Sequence, residues 1–247
     1  MSDTTNGRIH AIETCGTVDG PGIRYVIFTQ GCPLRCAYCH NPDTWAPNGG
    51  HKVMSVRELL GDIVKYKSYF RFSGGGVTLS GGEPLMQKEF AAALFREVKR
   101  EGLHTALDTA GYADIDGGTK EVLRHTDLVL LDVKSINPET FKQVTAKPID
   151  KTLALARYLS DNAVSVWARF VLVPGLTDNQ DEIHALGQYL ATLRNIERVS
   201  VLPFHQLGAN KWEALKMRYT LKDTPTPTDE ETNRVRALLR GYGFVVS

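Results

Sequence analysis

Short apolar runs rich in β-branched residues alternate with amphipathic stretches along most of this chain. The apolar runs predict strands, and the amphipathic stretches between them predict helices. The predicted strands cover residues 25–29, 77–80, 105–108, 128–133, 164–173 and 199–203, with residues 244–246 as a shorter seventh candidate. Strands that alternate with helices favour parallel pairing, so the expected fold class is α/β. Periodicity alone leaves open whether the sheet is doubly wound or a partial barrel.

The organisation of the chain predicts one domain over residues 1–247. No repeat, low-complexity block or long linker interrupts it, and its core is expected over about residues 20–205. An N-terminal loop and a C-terminal helical extension flank that core. Predicted helix starts carry capping chemistry. The capping pairs are Ser55 with Glu58, Thr177 with Gln180, Thr228 with Glu231, and Asn137 before Pro138.

Composition narrows the functional class by exclusion. With 42% hydrophobic residues and 23% charged residues among 247, the chain has an ordinary globular composition. No apolar run approaches the roughly 18 residues of a membrane span, and no signal-peptide core is found near the start, so a cytoplasmic protein is expected. Twenty-nine basic against 28 acidic residues leave a net charge of +1, which is too balanced for a dedicated nucleic-acid binder.

Polar or glycine-rich clusters stand directly after the predicted strands. Because active sites of barrels and open α/β sheets are built at the carboxyl ends of the strands, these clusters predict one site at that edge. The clusters are Gly31 with Cys32, residues 81–83, Asp108 with Thr109, Asp132 with Lys134, Pro174 with Gly175, and His205.

Three of the four cysteines, Cys32, Cys36 and Cys39, lie within eight residues after the first predicted strand. A disulfide is disfavoured in a reducing compartment. Zinc is an alternative, with His40 or Cys15 as a fourth ligand. An iron-sulfur cluster is another, and a [4Fe-4S] cube held by three cysteines leaves one iron open to a substrate. The residues alone leave zinc and iron-sulfur open.

Two motifs together resemble the radical S-adenosylmethionine (SAM) superfamily. They are the C-x3-C-x2-C spacing and the segment Ser80-Gly-Gly-Glu-Pro84 after the second predicted strand. Most of the chain is further similar to the activating enzymes of glycyl-radical enzymes. This similarity covers residues 15–24, 40–45, 107–111, 127–134, 171–175 and 202–205. Between Cys39 and Gly81 the chain has no further cysteine, so no auxiliary cluster is expected. Pro84-Leu85 and Ala110 depart from the family pattern.

The resemblance implies a partial (β/α)6 TIM-like barrel and an oxidoreductase. It implies that Cys32, Cys36 and Cys39 hold one [4Fe-4S] cluster at which SAM is reductively cleaved. The resulting radical would then take a hydrogen atom from a glycine of pyruvate formate-lyase. It further implies a flavodoxin-like electron donor and a monomeric protein without a membrane or nucleic-acid partner.

The resemblance also implies a set of residues around SAM. They are Tyr38, Cys39, His40, Asn41, Gly81, Gly82, Glu83, Asp108, Asp132, Val133, Lys134, Arg169 and His205. Asp108 and Thr109 would hold a monovalent cation, and Asp19 would face the partner's loop. From the residues alone, Arg169 is equally well explained as part of a buried structural ion pair, and Tyr38 as a packing residue. Cys15 is expected to be a small buried thiol.

Three other functions remain as alternatives. They are an activase of another glycyl-radical enzyme, a radical SAM enzyme acting on a small molecule as in deazapurine formation, and a zinc-stabilised interaction module. Dependence on a protein partner separates the first two, and metal content separates the third.

Overall fold

The computed structural model describes residues 5–247, which form an α/β protein. They divide into two compact units, one of residues 5–33 and 44–130, the other of residues 34–43 and 131–247. No helix in the described range has the length and apolar character needed to cross a membrane. The single domain over residues 1–247 stays a prediction.

The first unit begins with five strands and four helices. These are β1 (Asn6–Gly16), β2 (Arg24–Thr29), β3 (Lys52–Ser55), α1 (Val56–Ile63), α2 (Lys67–Ser73), β4 (Gly76–Gly81), α3 (Lys88–Arg100), β5 (His104–Thr109) and α4 (Gly117–Arg124). Strand β6 (Leu128–Asp132) begins in the first unit and ends in the second. The second unit adds α5 (Pro138–Thr145), α6 (Asp150–Asp161), β7 (Val166–Leu172), α7 (Gln180–Ala191), β8 (Ile196–Pro203), α8 (Ala209–Ala214) and α9 (Asp229–Arg240).

Parallel pairing joins β2 to β4, β4 to β5, and β7 to β8. Strand β1 runs antiparallel to both β2 and β3. The strand order is β3-β1-β2-β4-β5-β6-β7-β8, a linear order in which β3 and β8 are the edges of an unclosed sheet. The six predicted strands correspond to β2 and β4 to β8, which confirms the α/β class.

Strands β2, β4 and β6 read as continuous apolar runs because their side chains are buried on both faces, as is usual in parallel sheets. Val26, Ile27, Val77 and Leu79 are fully buried in the first unit. Each such side chain contributes about 1.5–3 kcal/mol through the apolar surface that it removes from water. These strands therefore fix the positions of the loops that follow them.

Strand β1 corrects the expected N-terminal loop for residues 6–16. Its buried residues alternate with more exposed ones, and only Ile9 among its large apolar side chains belongs to the buried core. Cys15 and Gly16, which were expected in a loop, end this strand. Pairing with β2 on one side and β3 on the other stabilises a segment that has only two large aliphatic side chains, Ile9 and Ile12.

Capping chemistry is mostly as predicted. Ser55 and Thr228 form reciprocal capping boxes, and Asn137 caps α5 with proline at its first position. The prediction for Thr177 is wrong, because Asn179 caps α7. The Thr177 hydroxyl instead hydrogen-bonds the backbone at the end of β7.

Residues 245–247 extend along strand β8. The Val199 amide donates to the Val245 carbonyl at 2.9 Å, and the Ser247 amide donates to the Val199 carbonyl at 3.1 Å. The Val201 amide donates to the Ser247 carbonyl at 3.0 Å. The short candidate strand at 244–246 is thus reduced to an isolated bridge between Val199 and Val246.

Candidate active site

The three clustered cysteines follow β2, as predicted. None of the four cysteines, which all lie within the described residues, forms a disulfide, so the disulfide alternative is excluded in this structure. Cys32, Cys36 and Cys39 are half-buried, whereas Cys15 is exposed. The expectation that Cys15 is a buried thiol is therefore wrong, because Cys15 lies on the same exposed face of β1 as Ala11 and Glu13.

Backbone hydrogen bonds hold the second half of this loop against α5. The Arg35 amide donates to the Thr145 carbonyl at 2.9 Å, and the Ala37 amide donates to the Val144 carbonyl at 2.8 Å. A turn is closed by the Cys39 amide, which donates to the Cys36 carbonyl at 3.0 Å. Cys36 and Cys39 are therefore fixed by the end of one helix.

Burial raises the pKa of the Cys36 thiol to about 12, although the nearby Lys134 ammonium opposes this rise. A metal must therefore displace a proton from this thiol in order to bind. Three cysteine thiols within eight residues are the donor set of a [4Fe-4S] cluster with one open iron. As residues 5–247 are arranged, no three Cys, His, Asp or Glu side chains converge on a single metal ion. The fit to a cluster thus rests on the chemistry of the donors.

The predicted Gly-Gly-Glu segment runs beside the residues that lead into the cysteine loop. The Gly82 amide donates to the Thr29 carbonyl at 2.9 Å, and the Glu83 amide donates to the Gly31 carbonyl at 2.8 Å. Gly81 has φ of +102°, a conformation that favours glycine. A Cβ atom on Gly82 would lie 2.1 Å from the Gly31 carbonyl oxygen. Both glycines are required for this close approach.

The Glu83 carboxylate is buried, and the three groups that donate hydrogen bonds to it lie in the first unit. It accepts hydrogen bonds from the Thr109 hydroxyl at 2.7 Å and from the amides of Leu85 and Ala110, each at 3.1 Å. Burial raises its pKa to about 7, and Asp108 adds to the rise, while the three hydrogen bonds oppose it. The carboxylate therefore positions the loop that follows β5, a role that the motif alone did not indicate.

We expect Glu83 to make folding stability depend on pH. Its pKa in the folded chain lies above the unfolded value of about 4.3, so the folded state binds the proton more tightly. Stability should therefore fall by about 2–3 kcal/mol as pH rises from about 4.5 to 7. Urea unfolding across this range should show the fall in the unchanged chain and its absence in Glu83→Gln. A Glu213→Gln control on the surface should keep the fall, and a Glu83→Gln variant that also keeps it would contradict the assignment.

A buried ion-pair group lies at the end of β6. The Lys134 ammonium donates to Asp132 Oδ2 at 2.6 Å, and Arg169 Nε donates to Asp132 Oδ1 at 3.0 Å. Burial disfavours the Asp132 carboxylate, but the two cations more than offset this and lower its pKa to about 2. Val133 lies between Asp132 and Lys134 in sequence, and its amide donates to the Arg169 carbonyl at 2.9 Å. Arg169 thus has the anionic partner that its burial requires.

Tyr38 lies between Cys36 and Cys39 in sequence and packs in the core of the second unit. Its ring contacts a cluster of Val144, Val173 and Phe204, and the Lys134 ammonium lies 5.4 Å from the ring centroid. The phenol oxygen is buried and has no hydrogen-bond partner within residues 5–247. Tyr38 is therefore a packing residue with one polar atom left for a ligand.

His40 and His205 stack on each other with ring centroids 4.3 Å apart. His40 Nε2 lies 3.3 Å from the His205 carbonyl oxygen. Burial lowers the pKa of His40, and the neighbouring His205 adds to this, so its neutral form is favoured. His205 Nδ1 is buried without a hydrogen-bond partner in the described chain. This nitrogen is a second polar atom available to a ligand.

Two side chains that the sequence did not single out hold the end of the cysteine loop. Trp212 Nε1 donates to the Cys39 carbonyl at 2.8 Å. The Lys211 ammonium donates to Asn41 Oδ1 at 2.8 Å and lies 3.0 Å from Asp43 Oδ2. No periodicity or motif links residues so distant in sequence, so the sequence gives no signal for these contacts.

Asp19 lies before β2, at the opposite end of that strand from Cys32. Its carbonyl accepts a hydrogen bond from the Thr78 hydroxyl at 2.7 Å, and that same hydroxyl accepts from Arg24 Nε at 2.9 Å. Arg24 is fully buried, and burial lowers its pKa to about 10 against the opposing charges of Asp127 and Asp19. Arg24, missed from the sequence, fixes the Asp19 segment.

The structure therefore brings the predicted residues together in local groups. The Glu83 group also includes Asp108, whose carboxylate accepts a hydrogen bond from the Ser80 hydroxyl at 2.6 Å. The groups are Gly81, Gly82 and Glu83 with Asp108 and Thr109; Tyr38 with Asp132, Lys134 and Arg169; and His40 with His205.

Comparison with known proteins identifies the family of this chain. Residues 26–186 match the model of the radical SAM superfamily. A "Pyruvate formate-lyase-activating enzyme" of Staphylococcus aureus strain USA300 is 48% identical over 243 residues, which is 96% of either chain. A solved domain of a pyruvate-formate lyase-activating enzyme from Bacteroides vulgatus has a TM-score of 0.60 and 26% identity. It covers 70% of this chain and 98% of its own.

A further likeness concerns the fold alone. Streptococcus suis SuiB bound to precursor peptide SuiA has a TM-score of 0.68 at 17% identity, over 96% of this chain and 50% of its own. With the unclosed, largely parallel sheet, these matches confirm the predicted partial TIM-like barrel of the radical SAM type. This chain belongs to the radical SAM superfamily and, within it, to the pyruvate formate-lyase-activating enzymes, which are oxidoreductases.

Proposed function

We propose that this chain cleaves SAM reductively and generates the glycyl radical of pyruvate formate-lyase. Cys32, Cys36 and Cys39 would hold one [4Fe-4S] cluster. When bound, this cluster supplies one electron to the sulfonium of SAM, and the 5'-deoxyadenosyl radical so released takes a hydrogen atom from one glycine of the partner.

One observation carries the proposal. The Glu83 amide donates to the Gly31 carbonyl at 2.8 Å, and Gly31 directly precedes Cys32. The Gly-Gly-Glu segment is thereby held against the start of the cysteine loop. The Gly-Gly-Glu segment and the start of the cysteine motif are thus structural neighbours in the first unit.

The ion-pair group supports binding of an anion such as the SAM carboxylate. Lys134 and Arg169 are two cationic side chains that both contact the Asp132 carboxylate. Cationic side chains such as these bind carboxylates through charge-assisted hydrogen bonds. The buried Tyr38 hydroxyl and His205 Nδ1, which lack partners among residues 5–247, would also contact SAM.

The remaining SAM contacts are assigned to backbone and loop groups. Gly81 and Gly82 would present carbonyl groups to the SAM ammonium, with Glu83 holding their loop in place through Thr109. The other assigned residues would surround the adenine and ribose or complete the binding loops. They are Cys39, His40, Asn41, Val133 and, with a monovalent cation, Asp108 and Thr109.

Asp19 is assigned to contact with the partner's glycine loop. It is only half-buried, and its backbone is fixed by Thr78. A loop drawn from a folded partner must be ordered on docking, and a rigid receiving segment lowers that cost. The flavodoxin-like donor, the monomeric state and the cytoplasmic location stay predictions.

The experiment is anaerobic incubation of the chain with a reductant, SAM and pyruvate formate-lyase. Electron paramagnetic resonance should show a glycyl radical, and chromatography should show 5'-deoxyadenosine. A partner whose radical-bearing glycine is replaced by alanine should give no glycyl signal. Deoxyadenosine without a glycyl signal on the unmodified partner would contradict the activase while keeping the superfamily chemistry.

A further inference from the structure

Residues 204–221, here called the strap, connect β8 to the segment before α9 and include α8. Both ends of the strap pack around Tyr38, because Phe204 shares its core cluster and Tyr219 and Leu221 pack against that cluster. Gln206 Nε2 ties the ends together by donating to the Leu221 carbonyl at 2.8 Å. The two ends of the strap are thus joined to each other and pack around Tyr38, which lies between Cys36 and Cys39 in sequence.

The middle of the strap forms a hydrogen bond with Cys39, the third cysteine of the loop. Trp212 Nε1 donates to the Cys39 carbonyl at 2.8 Å, and the indole is 5% exposed. Its ring stacks on Tyr219 with centroids 5.1 Å apart and an interplanar angle of 29°. The stacking fixes the indole, and the fixed indole fixes the orientation of the Cys39 peptide.

Two further contacts hold the residues after Cys39. The Lys211 ammonium bridges the side chains of Asn41 and Asp43. A Cβ atom on Gly208 would lie 2.7 Å from the Cα atom of His40, so the strap backbone rests directly on this loop. Cys39, His40, Asn41 and Asp43 are therefore contacted by one segment more than 160 positions later in the sequence.

We propose that the strap is a positioning element for the Cys39 ligand, with Trp212 as its principal positioning residue. This inference rests on the proposed function, since it concerns the ligand that would bind one iron of the cluster. A ligand loop held in its binding geometry loses less conformational freedom when it binds. Loss of the indole N–H should let the Cys39 peptide move, so iron is released more readily and the cluster's electronic environment changes.

The test compares Trp212→Phe with Trp167→Phe. Trp167 is a matched control because its Nε1 donates to Glu197 on the surface of the β7–β8 pair. Each reconstituted holoprotein is mixed anaerobically with a ferrous chelator, and iron transfer is followed by absorbance. Trp212→Phe should release iron about fivefold faster, the effect of roughly one hydrogen bond. The electron paramagnetic resonance signal of its reduced cluster, recorded without SAM, should also shift. Trp167→Phe should match the unchanged chain in both its rate of iron release and its spectrum.

Equal release rates and identical spectra for the two variants would overturn the proposal. If Trp212→Phe does not fold, Lys211→Met decides, because Lys211 is partly exposed and its loss leaves Trp212 in place. Lys211→Met should release iron faster and Lys211→Arg should restore the rate; no change in Lys211→Met would then overturn it. Failure of the proposed function is distinct, because an unchanged chain that takes up no iron refutes the cluster itself.

Discussion

Cys36→Ala is expected to abolish both 5'-deoxyadenosine formation and the glycyl radical. Three cysteine ligands leave one iron for SAM, so loss of one ligand removes the arrangement on which both products depend. The expected loss is complete within detection, and iron content after anaerobic reconstitution should fall well below that of the unchanged chain. Product analysis and iron determination on the same sample measure the two effects together.

Cys15→Ala is the matched control for that experiment. Cys15 is a free, exposed thiol at the end of β1, so its replacement removes a cysteine without touching the loop after β2. Iron content and both products should be unchanged. Full SAM cleavage by Cys36→Ala would refute its role as a ligand.

Asp132→Asn is expected to destabilise the fold by about 3–5 kcal/mol, the range observed when one member of a buried ion pair is removed. Asp132 is the carboxylate that both Lys134 and Arg169 contact, and all three side chains are less than one-fifth exposed. The neutral amide cannot compensate two buried cations. Urea unfolding at neutral pH measures the change. Asp223→Asn, on the surface, should change stability by less than about 0.5 kcal/mol.

The same group sets an acid limit on stability. The folded pKa of Asp132, about 2, lies below the unfolded value of about 3.9. Its contribution is therefore complete above about pH 4 and is lost as pH falls towards 2. Asp132→Asn should lack this part of the acid sensitivity. A loss of less than about 1 kcal/mol at neutral pH would show that the two cations are compensated elsewhere.

The parallel part of the fold could be predicted because its strands are buried on both faces. Val26, Val77 and Leu128 lie in runs that read as strands without reference to distant residues. Strand β1 gave no such run, because only one of its faces packs against the core. Its pairing with β2 and β3 depends on tertiary contacts that local pattern does not encode.

The candidate site likewise has a part that the local sequence predicts and a part that depends on the folded structure. The cysteine spacing and the Gly-Gly-Glu segment are local, so sequence alone identified them. The direction of the Glu83 carboxylate, towards Thr109 and the amide of Ala110, depends on where β5 ends in space. Trp212 was missed because its contact is a backbone carbonyl, which leaves no trace in the identity of Cys39.

Residues 245–247, which pair with β8, affect how this protein behaves in concentrated solution. Strand edges with open amide and carbonyl groups act as templates on which further chains add, a route to aggregation. Residues 245–247 occupy the amides of Val199 and Val201 and the carbonyl of Val199. This stretch of β8 is thereby withheld from intermolecular pairing by a cover too short to count as a strand.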